Sequence, residues 1–330
     1  MKTSIVIPCY RSALVLTGLV ERTAATMTAL VDQGVVDDWE LILVVDGSPD
    51  NTAAVAIELV NSQPRVRVLE LRRNFGQHNA LLAGIRDANF ETTVTIDDDL
   101  QHPPEEIPKL LAVLTDPGVD LVYAVPEEEE HGAMRSSASR FVKASLALAG
   151  VDNAKWVGAF RAFKTDLRDG FASVNDSQLN LDVLLSWSTT AVSPIGVTMN
   201  RREQGRSSYS FSKLVSHAMN MVTGYGVVPL KLATWLGFAC GVLGIVLLLV
   251  VLIHYVLGET TVAGFTTTVA LISLFSGAQM ITIGIIGEYL GRQHFRSMQK
   301  PTYLVRTRHS NTAARAPKVA QMPTKDGTRG

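Results

Sequence analysis

The sequence predicts an α/β domain with a mostly parallel sheet, followed by interfacial helices and a hairpin of two transmembrane helices. Two observations support this prediction. Short β-rich runs alternate with helical runs up to residue 126, a pattern typical of a parallel sheet covered by helices on both faces. Two later stretches, 233–257 and 265–287, contain no Asp, Glu, Lys or Arg, and each exceeds the ~20 residues needed to cross ~30 Å of hydrocarbon.

Five strands and four helices are expected in alternation. The predicted strands are 3–10, 39–48, 65–74, 92–100 and 120–126. The predicted helices are 12–34, 51–63, 76–88 and 104–116. Because ligands of such sheets bind beyond the carboxyl ends of the strands, the polar residues at those ends should meet at one site. These residues are Tyr10, Asp46, the run Arg72–Asn74 and the run Asp97–Asp99.

Three adjacent carboxylates, Asp97, Asp98 and Asp99, repel one another unless a cation lies beside them. A calcium loop is excluded, because no D-x-D-x-D-G pattern with a glutamate at its twelfth position follows. Mg²⁺ and Mn²⁺ prefer carboxylate oxygens and are often bound by substrate phosphates at the same time. The run therefore predicts a metal site for a diphosphate. On an extended backbone, Asp97, Asp99 and Gln101 would share one face and Asp98 would point the other way.

The predicted organisation has five parts. They are a catalytic domain (1–210), an amphipathic juxtamembrane segment (211–232), two transmembrane helices (233–257 and 265–289) and a basic tail (290–330), disordered after Arg306. Lys and Arg flank the spans but are missing from the joining loop, which places the catalytic domain and both termini in the cytoplasm. No signal peptide is expected, because the apolar part of the first ten residues is too short.

Composition narrows the function classes. A net charge of −1 gives no basic bias that would indicate a nucleic-acid partner. The two cysteines, Cys9 and Cys240, suggest neither a disulfide framework nor a zinc site. The uncharged stretches favour an integral membrane protein.

Five segments resemble family 2 glycosyltransferases with the GT-A fold. They are SIVIPCYRS, LVVDGSPDNT, LRRNFGQHNALLAGI, TIDDDLQHPPEEIPKLL and REQGRSSYSFSKL, and they occur in the family's order. The chain is most similar to the polyprenyl-phosphate glycosyltransferases, a branch that includes 4-deoxy-4-formamido-L-arabinose transferases, dolichol-phosphate mannose synthases and bactoprenol glucosyl transferases. The similarity extends over about residues 1–300, including the paired spans and GEYLGR at the end of the second span. The resemblance implies a location in the bacterial inner membrane.

The resemblance implies roles for particular residues. It implies that the nucleotide sugar is bound by Pro8, Tyr10, Asp46, Asn74, Gln77, Asp97, Asp98 and Arg206. It implies that Mg²⁺ or Mn²⁺ is held by Asp99 and Gln101, and that the catalytic residues are Asp97, Asp99 and Arg202. After the acidic run Glu127–Glu130, the candidates for binding the acceptor phosphate are Arg135, Ser139 and Arg140. For the two arginines, the alternative is that they lie on a solvated helix face.

Two histidines and one alanine need separate interpretation. His78 and His102 could be metal ligands, but hydrogen-bonding or structural roles are favoured, because the predicted metal site already has oxygen ligands. Ala159 stands where bactoprenol glucosyl transferases have an aspartate that has been proposed as a base. This departure puts the donor sugar and details of acceptor binding in doubt, not the reaction class.

The resemblance implies an inverting, metal-dependent transfer of one sugar to polyprenyl phosphate, for example undecaprenyl phosphate, for cell-envelope modification. A UDP-sugar is the favoured donor, and relatives form tetramers, so a homo-oligomer is expected. Two alternatives stay open: a processive polysaccharide synthase and an inactive membrane scaffold. The first usually has more spans and a Q-x-x-R-W motif, which this sequence lacks. The intact residues Asp97, Asp99, Gln101 and Arg202 argue against the second.

Overall fold

The fold is taken from a computed structural model of the chain. It describes residues 1–127, 143–144, 146–147, 151, 153–176, 179–200, 225, 228–257, 264–298 and 300–311. The account below concerns these residues.

Eight strands form one mixed sheet in the order β7-β5-β6-β4-β1-β2-β3-β8. Their bounds are β1 (Lys2–Cys9), β2 (Asp38–Val45), β3 (Val66–Leu71), β4 (Thr92–Thr95), β5 (Leu121–Pro126), β6 (Arg161–Lys164), β7 (Val192–Val197) and β8 (Val305–Ser310). Strands β6 and β8 run antiparallel to their neighbours, whereas β1 to β5 and β7 all run in one direction. The predicted mostly parallel α/β sheet is therefore confirmed.

Helices cover both faces of the sheet. The described helices are α1 (Leu16–Asp32), α2 (Thr52–Ser62), α3 (Gln77–Asp87), α4 (Ile107–Leu114), α5 (Leu181–Ser188), α6 (Val228–Val256) and α7 (Phe265–Ser297). Side chains of β1 alternate between two apolar clusters: Ile5 and Ile7 join the cluster with α1, α2 and α4, and Val6 joins the cluster with α3 and α5. This two-sided burial explains why the strand is apolar throughout.

The fourth strand is shorter than expected. It ends at Thr95, and the chain turns at Asp98 and Asp99 before Leu100 adopts a φ of +59°. Asp97 and Asp99 would share one face only on an extended backbone, and the turn at Asp98 and Asp99 is not extended, so the predicted alternation is wrong. The contacts of each aspartate must be taken from the structure instead.

The expectation of a disordered stretch directly after Arg306 is wrong for residues 306–310. This segment forms β8, which pairs antiparallel with β3 and extends the sheet well beyond the predicted boundary at residue 210. Arg306 pairs with Glu70 at 3.1 Å, and Arg308 pairs with Asp87 at 3.3 Å. Backbone groups of β8 form hydrogen bonds with those at the edge of β3. Strand β8 is then the edge of the sheet, where charged side chains such as its arginines are common.

Helices α6 and α7 lie next to each other, with the Phe275 ring beside Gly244. In the described part of the chain, one segment, Val228–Leu247, is long and apolar enough to span a bilayer; its mean hydropathy is 1.9. Helix α7 has 33 residues, about 50 Å at 1.5 Å per residue, which exceeds the thickness of a bilayer's hydrocarbon core. The paired helices thus agree in position with the predicted hairpin, while its two spans remain a proposal.

Candidate active site

The candidate site lies where the strand order reverses. From β1 the chain adds β2 and β3 on one side and then returns to place β4 on the other side. In open α/β sheets, ligands bind at such a switch point, beyond the carboxyl ends of the strands. Tyr10 follows β1 and Asp97 follows β4, so these two predicted site residues border the crevice. Pro8 lies buried within β1, opposite Val44 of β2.

The three aspartates have different partners. Oδ1 of Asp97 accepts a 2.6 Å hydrogen bond from Nε2 of Gln77, in the first turn of α3. Asp98 accepts from the backbone N–H of Tyr10 at 3.0 Å and from the Ser12 hydroxyl. Oδ1 of Asp99 accepts from the backbone N–H of Gln101 at 3.1 Å. The triplet therefore contacts α3, the β1–α1 loop and its own turn.

Asp98 fixes the loop that carries Tyr10. Burial raises the pKa of the Asp98 carboxyl above its ordinary value, and the hydrogen bonds from Ser12 and Tyr10 oppose that shift. A buried carboxylate is stable only where donors satisfy it, and both donors here come from the β1–α1 loop. Asp98 is thus held against β1, while its contact with a nucleotide sugar remains a prediction.

Asp46, at the end of β2, binds the segment that begins α3. Its two carboxylate oxygens accept from the backbone N–H groups of Phe75 at 2.7 Å and Gly76 at 2.8 Å. Asp46 is only 3 % exposed, and burial raises the pKa of its carboxyl while these two hydrogen bonds oppose the shift. The predicted donor residues Asn74 and Gln77 flank this bound pair, so Asp46 fixes the backbone between them.

Gly47 allows the two loops to approach closely. It has a φ of +56°, and a Cβ at this position would lie 2.5 Å from the backbone nitrogen of Asn74. No side chain fits in that space, so the backbone next to Asn74 lies directly against the β2–α2 loop. This close approach places Asn74 beside the end of β2.

The turn after the aspartates is held by Asn200, a residue that the sequence did not suggest. The backbone N–H of Asn200 donates to the Gln101 carbonyl at 2.9 Å, and its side-chain amide donates to the Leu100 carbonyl at 3.2 Å. Asn200 comes three residues after β7, so only the folded sheet brings it to this turn. The preceding strand, VSPIGV, contains Pro and Gly and gives a weak strand signal.

His102 lies behind this turn rather than in it. Its ring is 5.6 Å from the Phe160 ring, and its buried Nδ1 has no hydrogen-bond partner among the described residues. Burial lowers the pKa of His102, and the nearby Asp99 carboxylate opposes that shift. These surroundings suit a neutral, packed imidazole.

The oxygen donors at the turn suit a hard divalent ion. Among the residues that the structure describes, no group of three or more His, Cys, Asp and Glu side chains could hold a metal. Asp99 and Gln101 nevertheless offer a half-buried carboxylate and an amide two residues apart. Mg²⁺ is usually bound through one or two carboxylates plus substrate phosphates, so this pair fits an ion shared with a diphosphate.

Several predicted site residues lie outside the described parts of the chain. They are the acceptor-phosphate candidates Arg135, Ser139 and Arg140, and the donor-site candidates Arg202 and Arg206. Their roles remain predictions. The structure does describe Lys143, which follows these acceptor candidates in the chain, and its ammonium group donates to the Lys155 carbonyl at 2.7 Å.

A parallel sheet with an acidic turn at its switch point is typical of enzymes that bind a nucleotide. Residues 4–148 match the model of glycosyl transferase family 2. The undecaprenyl-phosphate 4-deoxy-4-formamido-L-arabinose transferase of Proteus mirabilis (strain HI4320) is 32% identical over 308 residues, 92% of this chain and 93% of that protein. The transferase of the same name from Yersinia enterocolitica is also 32% identical, over 92% of each chain. The chain belongs to glycosyl transferase family 2 and is a glycosyltransferase.

A solved structure is also similar to this chain. It is glucosyl-3-phosphoglycerate synthase from Mycobacterium tuberculosis, in complex with Mn²⁺, uridine diphosphate and phosphoglyceric acid. The two chains are 21% identical with a TM-score of 0.47, and the match covers 67% of this chain and 76% of that one.

Proposed function

We propose that this glycosyltransferase moves one sugar from a nucleotide diphosphosugar to undecaprenyl phosphate at the cytoplasmic face of a membrane. UDP is the favoured nucleotide. Relatives that match over more than nine-tenths of the chain carry names that specify undecaprenyl phosphate, which supports this acceptor. The reaction class follows from the family, and the acceptor and its location are the proposed part.

The observation that carries the proposal is where the helices join the sheet. Strand β7 ends at the same edge as β1 and β4, and the chain continues from there towards α6. On the return, Val305 of β8 pairs with Leu71 at the carboxyl end of β3. Leu304 lies only seven positions after Ser297, the end of α7, so the two residues are at most about 25 Å apart. This connectivity supports an arrangement in which the edge with the aspartates faces the helices.

The shared sheet also constrains the membrane topology. Because β7 and β8 belong to one sheet, the chain must cross a membrane an even number of times between Val197 and Val305. If Val228–Leu247 spans the bilayer, a second crossing is required, and α7 is the helix available for it among the described residues. This supports two spans with the whole sheet on one side of the membrane, and the Lys and Arg residues that flank the spans favour the cytoplasmic side.

The surface of α7 supports the same assignment. Many of its large apolar side chains are exposed, and an apolar surface of this length is unfavourable in water. They are Ile272, Leu274, Met280, Ile281, Ile283, Ile286 and Leu290. Exposed apolar side chains on α6, such as Trp235 and Phe238, extend the surface. A bilayer would cover both helices.

The site residues suit sugar transfer from a diphosphate donor. A divalent ion bound there would stabilise the charge that develops on the diphosphate. Asp99 and Gln101 would hold that ion against the donor. Gln77 orients Asp97, and Asp46 fixes the backbone between Asn74 and Gln77, so the donor would meet a site ordered in advance.

The acceptor explains why Ala159 can replace a carboxylate. A phosphate monoester has a second pKa of about 6, so at neutral pH its oxygen is already a nucleophile. That oxygen attacks the anomeric carbon, the bond to the diphosphate oxygen breaks, and the nucleoside diphosphate leaves with the electron pair. In-line attack inverts the anomeric carbon, and no base is needed to remove a proton.

The proposal can be tested with purified full-length protein in lipid nanodiscs, undecaprenyl phosphate, Mg²⁺ or Mn²⁺ and a panel of labelled nucleotide sugars. We expect one donor to give a labelled, solvent-extractable lipid. A long water-soluble polymer would indicate a processive synthase instead. If no donor is used while the protein remains folded, the inactive-scaffold alternative would be favoured.

A further inference from the structure

The first turn of α5 receives hydrogen-bond partners from distant parts of the chain. Asn180 precedes this helix, and its Oδ1 accepts from the backbone N–H groups of Asp182 at 2.9 Å and Val183 at 3.2 Å. The backbone N–H of Leu181 lies outside that cap and donates instead to Nδ1 of His78 at 3.3 Å. His78 therefore completes the N-terminal cap of α5 from another helix.

His78 belongs to the donor side of the site. It follows Gln77, which binds Asp97, so the first turn of α3 contacts both the aspartate turn and α5. The side-chain amide nitrogen of Asn180 lies 3.4 Å from Nε2 of the same ring. Nδ1 can accept from Leu181 only when it carries no proton, so this contact requires a neutral ring with its proton on Nε2.

The juxtamembrane chain reaches the same turn through Tyr225. The backbone N–H of Asn180 donates to the Tyr225 hydroxyl at 2.6 Å. The Tyr225 ring also lies edge-on to Trp187 of α5, with 6.1 Å between ring centroids. Tyr225 is three residues before α6, so the entry to the membrane helix is held against α5.

A buried charge network ties this turn to β4. Asp182 accepts hydrogen bonds from the Arg161 guanidinium and from the Tyr123 hydroxyl, the latter at 2.9 Å. Nε of Arg161 donates to the Thr95 hydroxyl at 3.0 Å, and Arg161 is only 1 % exposed. Thr95 is two residues before Asp97. The α5 turn is thus connected to β4, the strand that precedes the aspartates, by the buried Arg161–Asp182 ion pair. Breaking this ion pair would cost folding free energy, because it would leave a buried charge without a partner.

We propose that the first turn of α5, Asn180–Asp182, is a positioning junction that sets the juxtamembrane chain relative to the donor site. In this junction, His78 and Tyr225 are the positioning residues. The inference rests on the proposed function, in which the sheet edge holds the donor and the membrane presents the acceptor. A misplacement of about 1 Å between reacting groups can cost roughly 100-fold in rate, so the two parts must be held in register.

The Tyr225→Phe variant tests the membrane side of the junction. It removes the hydroxyl that accepts from Asn180 but keeps the ring beside Trp187. We expect kcat for sugar transfer to undecaprenyl phosphate to fall about tenfold. The Kd for UDP, measured by calorimetry, should stay within about twofold, because the donor-side contacts are intact.

Two substitutions of His78 form a matched pair. His78→Asn places an amide oxygen near the position of Nδ1 and should keep at least about half of wild-type kcat. His78→Leu fills similar space without an acceptor and should lose about tenfold. In the double variant with Tyr225→Phe, the losses should not multiply, because both residues act through the α5 turn.

These measurements use purified full-length protein in nanodiscs and the donor selected from the nucleotide-sugar panel. A kcat within about twofold of wild type for both Tyr225→Phe and His78→Leu would overturn the junction, as would losses that multiply. Equal losses in kcat for sugar transfer and in affinity for UDP would indicate local unfolding and would also refute the junction. A wild-type protein that forms no glycolipid would overturn the proposed function and, with it, the junction.

Discussion

Nε2 of Gln77 lies 2.6 Å from Oδ1 of Asp97 and donates a hydrogen bond to it. The residues just before Gln77, Phe75 and Gly76, donate their backbone N–H groups to Asp46. A three-residue segment at the start of α3 is therefore held by two carboxylates, one after β2 and one after β4. Such support orders the segment that we propose to bind the donor before any substrate arrives.

The first prediction separates the aspartates by their contacts. Asp99→Asn would remove a charged ligand of the proposed metal, and kcat/KM should fall about 100-fold or more. Asp98→Asn keeps an amide oxygen that can accept from Tyr10 and Ser12, and burial already disfavours the charge there. Its loss should be roughly tenfold or less. Steady-state transfer kinetics give both values.

Circular dichroism and size-exclusion profiles of the two aspartate variants serve as the control for folding. If Asp99→Asn retains near-normal turnover with metal present, Asp99 does not hold the metal. Equal losses at the two positions would refute the separate roles assigned from their contacts.

The second prediction concerns two glycines with positive φ. Gly34→Ala and Gly47→Ala both force an L-residue into the left-handed region, at a cost of about 1–2 kcal/mol. Nothing lies within 4 Å of a Cβ at Gly34, whereas a Cβ at Gly47 would overlap the backbone next to Asn74. Gly34→Ala should lower the melting temperature slightly and leave UDP affinity unchanged. Gly47→Ala should also weaken UDP binding.

Calorimetric titration with UDP and thermal unfolding separate these two effects. If Gly47→Ala binds UDP as tightly as Gly34→Ala does, the close approach of the two loops does not shape the donor site.

The third prediction concerns topology. Because β8 lies in the catalytic sheet, Ser310→Cys should react with a membrane-impermeant maleimide only in inside-out vesicles. Thr261→Cys, in the loop between the two proposed spans, should react only in right-side-out spheroplasts. The unmodified chain provides the blank, since Cys9 is buried and Cys240 lies within α6. Labelling of both variants from one side would exclude two spans.

The fourth prediction is metal dependence. Dialysis against EDTA should abolish sugar transfer, and Mg²⁺ or Mn²⁺ should restore it, because Asp99 and Gln101 offer only oxygen ligands. Ca²⁺ should restore it less well, since it prefers more ligands and a looser geometry. Full activity after exhaustive chelation would rule out the assigned metal role.

Much of the fold could be predicted from local sequence pattern. Strands β1 and β2 contain long apolar runs, β3 is rich in Val and Leu, and the helices between them have clear periodicity. By contrast, β8 is polar, and its partner strand lies more than 230 residues earlier in the chain. Its identity as a strand depends on the free edge of β3, which no local pattern records.

In the site, too, some features could be predicted from the sequence and others depend on contacts between distant residues. Gln77 and Asp97 were both predicted in the donor site, and they are in direct contact. The burial of Asp98 depends on Ser12, 86 residues away, and the turn at Leu100 depends on Asn200. Only the assembled sheet brings those pairs together, so residue spacing could not reveal them.

The central claim is that one sugar moves from a nucleotide diphosphosugar to undecaprenyl phosphate. Mass spectrometry of the lipid product, together with chromatography of the released nucleotide, tests it most directly. The account predicts a lipid with one phosphate and one sugar, and a nucleoside diphosphate as the second product. A lipid with a diphosphate bridge, released with a nucleoside monophosphate, would contradict it.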